Sequence, residues 1–413
     1  MNMGTHALVC DNAANLIIED GGQLVTGTVV AATVKKNIAA YTSANDGWNL
    51  ISSPVNIELG AAGIGLTTET TYDLYYLNEG TSKWINFKAN EGNTNPGFSI
   101  QPHIGYLYAN AANTTLNFRG TLQPYSEAGL EVSLTKVGEG WNLVGNPYPF
   151  NAYVNKPYYV INGRTVEVYE GSDPVPTCTG IIVKATAAND KITFRRTSFA
   201  SNAINNGNIE LVLAQAVTNR GNAETLDNAI VSFNEGSQLP KFYFGEQNAI
   251  LYIPQGTEEY AIVSSNGQGE MPVNFRTNEN GQYTLTVNLE NVEMNYLHLI
   301  DNMTGADVDL LVNPSYTFDA RTTDYASRFR LLFSANGVEE NDNDIENETF
   351  AFVSNGEIIV NGTGTVQLID ALGRILLTQE VTPNSSLPTP NYSGVYVLRL
   401  VGEKVKTQKI VVK

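Results

Sequence analysis

Apolar and polar positions alternate with a period of two along most of this chain, and the clearest example stands at its end. In Gly394-Val-Tyr-Val-Leu-Arg-Leu, residues Val395, Val397 and Arg399 alternate with Tyr396, Leu398 and Leu400, the pattern of a strand with two distinct faces. Gly402-Glu403 reads as a turn, and Val405 to Val412 as a second strand. Chain termini fray unless a sheet ties them down, so a tail this regular is expected to be built into one. Upstream, short apolar runs are separated by Gly, Asn, Asp and Pro at spacings of roughly 8–12 residues, and convincing amphipathic helices are absent. The pattern predicts an all-β chain of tandem antiparallel β-sandwich modules, Ig-like or jelly-roll-like.

Four segments follow from this reading. Residues 1–40 hold Ala14-Asn-Leu-Ile-Ile-Glu-Asp-Gly-Gly-Gln-Leu-Val and a second apolar run, read either as the last rungs of a β-solenoid or as an edge hairpin of the next domain. Residues 41–200 contain an internal duplication: Gly47-Trp-Asn-Leu-Ile-Ser-Ser-Pro54 returns as Gly140-Trp-Asn-Leu-Val-Gly-Asn-Pro147. Later segments match in outline, including Ile104-Gly-Tyr-Leu-Tyr-Ala-Asn with Thr179-Gly-Ile-Ile-Val-Lys-Ala. After a polar linker, 201–336 is expected to form a second β-sandwich, and 337–413 an acidic linker followed by an Ig-like C-terminal module.

The tail, with the stretch 350–376, resembles the C-terminal sorting domain of Bacteroidetes type IX secretion cargo. Gly394-Val-Tyr-Val-Leu-Arg-Leu and Val405-Lys-Thr-Gln-Lys-Ile-Val-Val carry the resemblance. Thr365-Val-Gln-Leu-Ile-Asp-Ala-Leu-Gly-Arg-Ile-Leu fits the family's strand, Asp-x-x-Gly-Arg turn and strand. Where many members begin with Asn-Pro, this chain has Asn355-Gly356. The resemblance implies that Gly394, Tyr396, Arg399, Lys406, Thr407, Gln408 and Lys409 form a sorting signal read by the type IX secretion machinery. It also implies a protein secreted or attached to the outer-membrane surface after passage through the periplasm. Gly-Trp-Asn-Leu-Ile-Ser-Ser-Pro segments are similar to those of other large Bacteroidetes surface proteins. The opening Met1-Asn-Met-Gly-Thr-His lacks the basic and apolar regions of a secretory signal, so the chain is expected to start inside a longer precursor or at a misassigned start.

Charge sharpens the picture. Lys and Arg number 24 and Asp and Glu 42, a net charge of −18, which disfavours nucleic acid and anionic lipid as partners. The tail is the exception, with Arg399, Lys404, Lys406, Lys409 and Lys413 against Glu403. Just before the C-terminal module, Glu339, Glu340, Asp342, Asp344, Glu346 and Glu348 form an acidic run that like-charge repulsion should keep extended, and it is the expected processing region. Its spacing fails an EF-hand test, because the sixth and twelfth positions from Asp342 are Asn347 and Val353 rather than Gly and Glu.

Chemistry is sparse. His6, His103 and His298 stand in no metal spacing, no Gly-x-Ser-x-Gly elbow or phosphate-cradling loop is present, and Cys178 lacks a basic neighbourhood. No catalytic residue, metal site or cofactor is singled out, and no apolar run reaches the roughly 18–20 residues of a membrane span. The sequence leaves open whether Cys10 and Cys178 pair. Trp48, Trp84, Trp141, Tyr75, Tyr76, Tyr106 and Tyr108 are candidates either for a sandwich core or for a sugar-stacking face. Trp48 and Trp141, at matching repeat positions, favour the core; Tyr106 and Tyr108, opposite Leu107 on one strand, are expected to be the exposed pair, with Trp84 a further glycan contact. The expected role is binding, adhesive or structural, toward a surface glycan or another extracellular ligand. The alternative is the C-terminal portion of a larger secreted glycosidase or peptidase with its catalytic module upstream.

Overall fold

The computed structural model describes residues 8–412 apart from 43–46, 67–71, 89–96, 164, 172, 200–206, 216–224, 246, 336–349, 355–356, 371–373, 384, 391 and 403–404. Among the described residues every regular element is a strand except the 3-10 turn Ala61–Ile64, so the chain is all-β, built of mostly antiparallel sheets. It divides into two units, Met1–Val338 and Glu339–Lys413.

In the first unit the sequence repeat becomes two copies of one strand order. The first copy runs Lys83–Asn86, Tyr72–Asn78, Gly105–Asn110, Asn49–Ser52; the second runs Thr165–Tyr169, Tyr158–Asn162, Gly180–Lys184, Trp141–Gly145. The copies meet where Asn162 faces Asn49, giving one eight-stranded sheet. Each copy opens with the same local device. Gly47 and Gly140 take left-handed φ values of 67° and 79°, which a glycine adopts without a Cβ penalty. The Asn two residues on then donates its amide to that glycine's carbonyl, Asn49 at 2.8 Å and Asn142 at 2.9 Å.

A smaller sheet covers one face of each copy. Over the first lie Ala31–Ile38, Thr114–Thr121 and Ile17–Ile18, enclosing Val34, Ile51, Tyr106, Tyr108 and Phe118. Over the second lie Leu130–Ser133, Lys191–Arg195 and Tyr153–Val154, enclosing Val144, Ile181, Ile192 and Phe194. The N-terminal segment therefore departs from the solenoid expectation. In this segment parallel pairing is confined to Ile17 with Thr33 and Ile18 with Val34 among the described residues, whereas Ala31–Ile38 pairs antiparallel with Thr114–Thr121 over eight residues and completes the first sandwich.

The opposite face of the eight-stranded sheet is buried too. Leu50, Leu107, Leu143, Ile161 and Ile182 pack against Ile230, Leu239, Ala261 and Ile262 of the second module. The two repeat tryptophans each meet a phenylalanine edge-on, Trp48 with Phe244 at 6.3 Å and Trp141 with Phe242 at 5.1 Å. Polar links run alongside: the Tyr159 hydroxyl donates to Pro240 O at 2.7 Å, and the Asn228 amide pairs with both backbone groups of Val168 at 3.2 Å. Each fully buried Leu or Ile contributes about 1.5–3 kcal/mol. The segments 41–200 and 201–336, expected as separate sandwiches, thus share a continuous apolar layer.

The second module is an 11-stranded sheet closed over its own core of Leu211, Val231, Leu251, Phe275, Leu299 and Leu331, among others. Ala249–Gln255 carries the chain from one layer to the other: Ile253 to Gln255 pair with Glu258–Ser264, and Ala249 to Tyr252 with Gln268–Thr277. Two ion pairs are sunk in this module. Lys241 Nζ lies 2.6 Å from Asp227, whose other oxygen accepts Leu251 N–H at 2.8 Å. Arg328 Nη2 lies 2.9 Å from Asp301, which also accepts Tyr316 OH and Met303 N–H. Their lone pairs are satisfied, as buried charges require.

The second unit is a small sandwich. Ala351–Ser354, Glu357–Val360 and Ser385–Pro388 form one sheet; Ile375–Val381, Gly364–Ile369, Gly394–Val401 and Val405–Val412 form the other. Ile358, Val366, Leu387, Leu398 and Ile410 are part of its core.

Candidate functional site

The tail is a regular hairpin, Gly394 pairing with Val412 through Val401 with Val405. Tyr396, Leu398 and Leu400 point into the core, and Val395, Val397, Arg399 and Val401 are exposed. The seven residues expected to form a sorting signal divide along the same line. Arg399, Thr407 and Lys409 are exposed, with Arg399 opposite Thr407. Tyr396 is buried, its hydroxyl donating to Tyr392 O at 2.8 Å. Gln408 clamps another strand: it accepts Ala351 N–H at 2.9 Å and donates to Ala351 O at 2.5 Å. Gly394 begins the strand, and the side chain of Lys406 lies outside the described residues. The Asp-x-x-Gly-Arg turn is closed by Arg374 Nε on Asp370 at 2.7 Å. The acidic run Glu339, Glu340, Asp342, Asp344, Glu346 and Glu348 lies outside the described residues.

The tyrosines expected on the surface are core. Tyr106 is 2% exposed and Tyr108 0%, because the sheet that holds them is covered on both faces. Burial raises the pKa of each to about 12. The Tyr106 hydroxyl is occupied, accepting Gln101 N–H at 2.8 Å and donating to Ser99 O at 3.2 Å, while Phe98 stacks on the ring at 5.6 Å. Trp84 is half-buried and packs on Phe244 at 6.0 Å. These three residues therefore form no common sugar-stacking face.

A cleft of about 720 Å³ opens between the second repeat copy and the second module, within the usual range of ligand sites, about 300–1,000 Å³. Lys136, Lys156 and Lys184 line it. Lys156 is fixed by Asp190 at 2.9 Å, and that carboxylate also accepts the N–H groups of Thr186 and Lys191 at 2.8 Å. Burial opposes ionisation of Asp190, but these donors outweigh it and hold the carboxyl at about 2. Lys136 donates to Ala185 O at 3.0 Å, and Lys184 Nζ stands 4.4 Å over the Trp141 ring; neither makes an ion pair with a described residue. Burial lowers the Lys184 pKa, Glu139 and Glu258 oppose the shift, and Lys136 adds to it.

Across the cleft are Asn234, Glu235 and Gln238, with Phe199 and Tyr260 adding flat apolar surface. Glu170, also lining the cleft, is raised by burial, a shift opposed by hydrogen bonds from Ser232, Asn234 and Asn208. Sequence reasoning missed this group. One signal was present: where the first copy has Ala109, the second has Lys184.

Other candidate chemistry stays dispersed. Cys10 and Cys178 are free thiols, and burial pushes Cys178 up to about 12. His103 is half-buried with its pKa lowered by burial, while His298 stacks on Tyr296 at 4.2 Å and bonds Asp307 at 2.6 Å. No group of His, Cys, Asp and Glu among the described residues is arranged to hold a metal ion.

No protein-family model and no curated protein matches this chain. Among solved structures, one titled "Biofilm associated protein - BSP domain" aligns over 100% of this chain and 99% of its own at 9% identity and a TM-score of 0.13.

Proposed function

We propose that this is a secreted or outer-membrane surface-attached protein exported by the type IX route. The unit Glu339–Lys413 serves as its sorting module, and Met1–Val338 is a body with a binding, adhesive or structural role. The supporting observation is the tail itself, whose two strands are full members of a core sheet while Arg399 and Lys409 remain on the outer face. A strand pair held this way presents basic side chains to an export receptor without unfolding. The acidic run before it is the segment a processing enzyme would cut.

Deleting the last strand would remove Ile410 and Val412 from the core, so loss of export would not separate signal from fold. The sharper test is Arg399→Glu with Lys409→Glu in the full chain, both on exposed sites. The expected result is protein retained in the periplasm with unchanged thermal unfolding. Normal surface display of this variant rules out the basic face as the signal. Mass spectrometry of displayed wild-type protein should show a new terminus near Glu339–Glu348.

A further inference from the structure

The cleft at Lys136, Lys156 and Lys184 combines features that point to one kind of ligand. An ammonium taken partly out of water is costly unless something pairs with it, and Lys184 has the face of Trp141 rather than a carboxylate in contact. In a chain of net charge −18, two lysines with no ion pair among the described residues leave positive charge open to a ligand beside this cavity. Asp190 holds Lys156 and the Thr186 backbone rigidly at the same wall, so the site is built before any ligand arrives, which lowers the ordering cost of binding.

The facing wall limits the ligand further. Asn234 and Gln238 offer amide donors and acceptors, and Glu170 and Glu235 add negative charge. A ligand charged along its whole length, such as a polyphosphate, would be repelled there. One with many hydroxyls and an occasional anionic group would be accepted by both walls, with Phe199 and Tyr260 providing apolar surface for ring C–H faces.

We propose that this cleft binds an acidic saccharide, a uronate or sulfated sugar chain whose anionic groups lie toward Lys136 and Lys184 and whose hydroxyls lie toward Asn234 and Gln238. The inference rests on the reading of Met1–Val338 as a binding body and names what it binds. It is independent of the sorting signal.

The test uses the purified full chain and calorimetric titration with oligogalacturonate, chondroitin sulfate oligosaccharide, neutral dextran of similar length, and polyglutamate. Binding is expected for at least one of the two acidic saccharides, weakening as salt is raised, and not for dextran or polyglutamate. Lys136→Gln with Lys184→Gln should weaken it by about 10-fold or more. Lys136→Gln alone changes an exposed side chain and should weaken it measurably with an unchanged fold, which keeps the test decisive should the double variant misfold. Absence of binding to both acidic saccharides overturns the proposal. So does equal binding of dextran or polyglutamate, or undiminished binding by the Lys136→Gln protein. Surface display of the same variants should be normal, so failure of this inference and failure of the export reading give different results.

Discussion

The strands Gly105–Asn110 and Gly394–Val401 look alike as sequence: each begins with Gly and alternates Tyr or Leu with its neighbours. In the molecule they differ. Every residue of Gly105–Asn110 is buried, Tyr106 and Tyr108 on one side and Leu107 on the other. In Gly394–Val401 only Tyr396, Leu398 and Leu400 are buried, and the alternate positions face out. Periodicity assigns residues to sides of a strand; whether the second side meets water or another layer depends on chain far away in sequence. For Gly105–Asn110 that layer is supplied by Ile230, Leu239 and Ile262, more than a hundred residues downstream.

The largest test of this contrast is Tyr108→Ala. The ring has no exposed surface and its hydroxyl accepts a bond from Asn110 at 2.7 Å. Truncating a buried aromatic costs about 3–5 kcal/mol, and denaturant unfolding of the first unit should show a loss of that order. A loss below about 1 kcal/mol would match a surface substitution and return Tyr108 to the exposed role its sequence suggested.

What was legible followed from local rules. The duplication, the all-β class and the tail hairpin all rest on short-range features such as Gly47 and Gly140, whose left-handed φ allows the turn before each repeat strand. The long-range pairings were not legible. Lys241 with Asp227 and Arg328 with Asp301 are ordinary charged residues in strand-rich sequence, and only tertiary packing brings them together in apolar surroundings. The lysine cleft belongs with them, because its walls come from both modules and no spacing links Lys184 to Asn234. The sharing of one apolar layer between 41–200 and 201–336 was hidden for the same reason.

The two units also hold a carboxylate differently, and the one in the first unit should make that unit acid-sensitive. Asp190, its side chain 14% exposed, ties Thr186, Lys191 and Lys156 together, whereas Asp370, 11% exposed, is held by Arg374, whose side chain is 70% exposed. Asp190 is lowered from 3.8 to about 2 in the folded chain. A carboxyl with a depressed folded pKa adds stability that is full above its unfolded value and is lost as pH falls through the folded one. The contribution should therefore fade between about pH 4 and pH 2. In Asp190→Asn that part of the pH dependence disappears, which unfolding of the first unit at a series of pH values would show as a shallower acid slope. An unchanged slope would mean that Asp190 does not carry this acid sensitivity.

The smallest effect is the most discriminating. Val397 and Leu398 are neighbours on one strand, the first 38% exposed and the second 0%. Leu398→Ala should cost about 2–5 kcal/mol in the second unit. Val397→Thr keeps a β-branched residue suited to a strand and should change stability by no more than about 0.5 kcal/mol. Thr is nearly the shape of Val but carries a hydroxyl, so it is tolerated in water and penalised in an apolar layer. If Val397→Thr instead costs as much as a core change, the outer face of the tail sheet is covered in solution. The second unit would then share the two-sided burial of Gly105–Asn110, and Arg399 and Lys409 would not be free for a receptor. A neutral result leaves that face open and keeps the basic pair available.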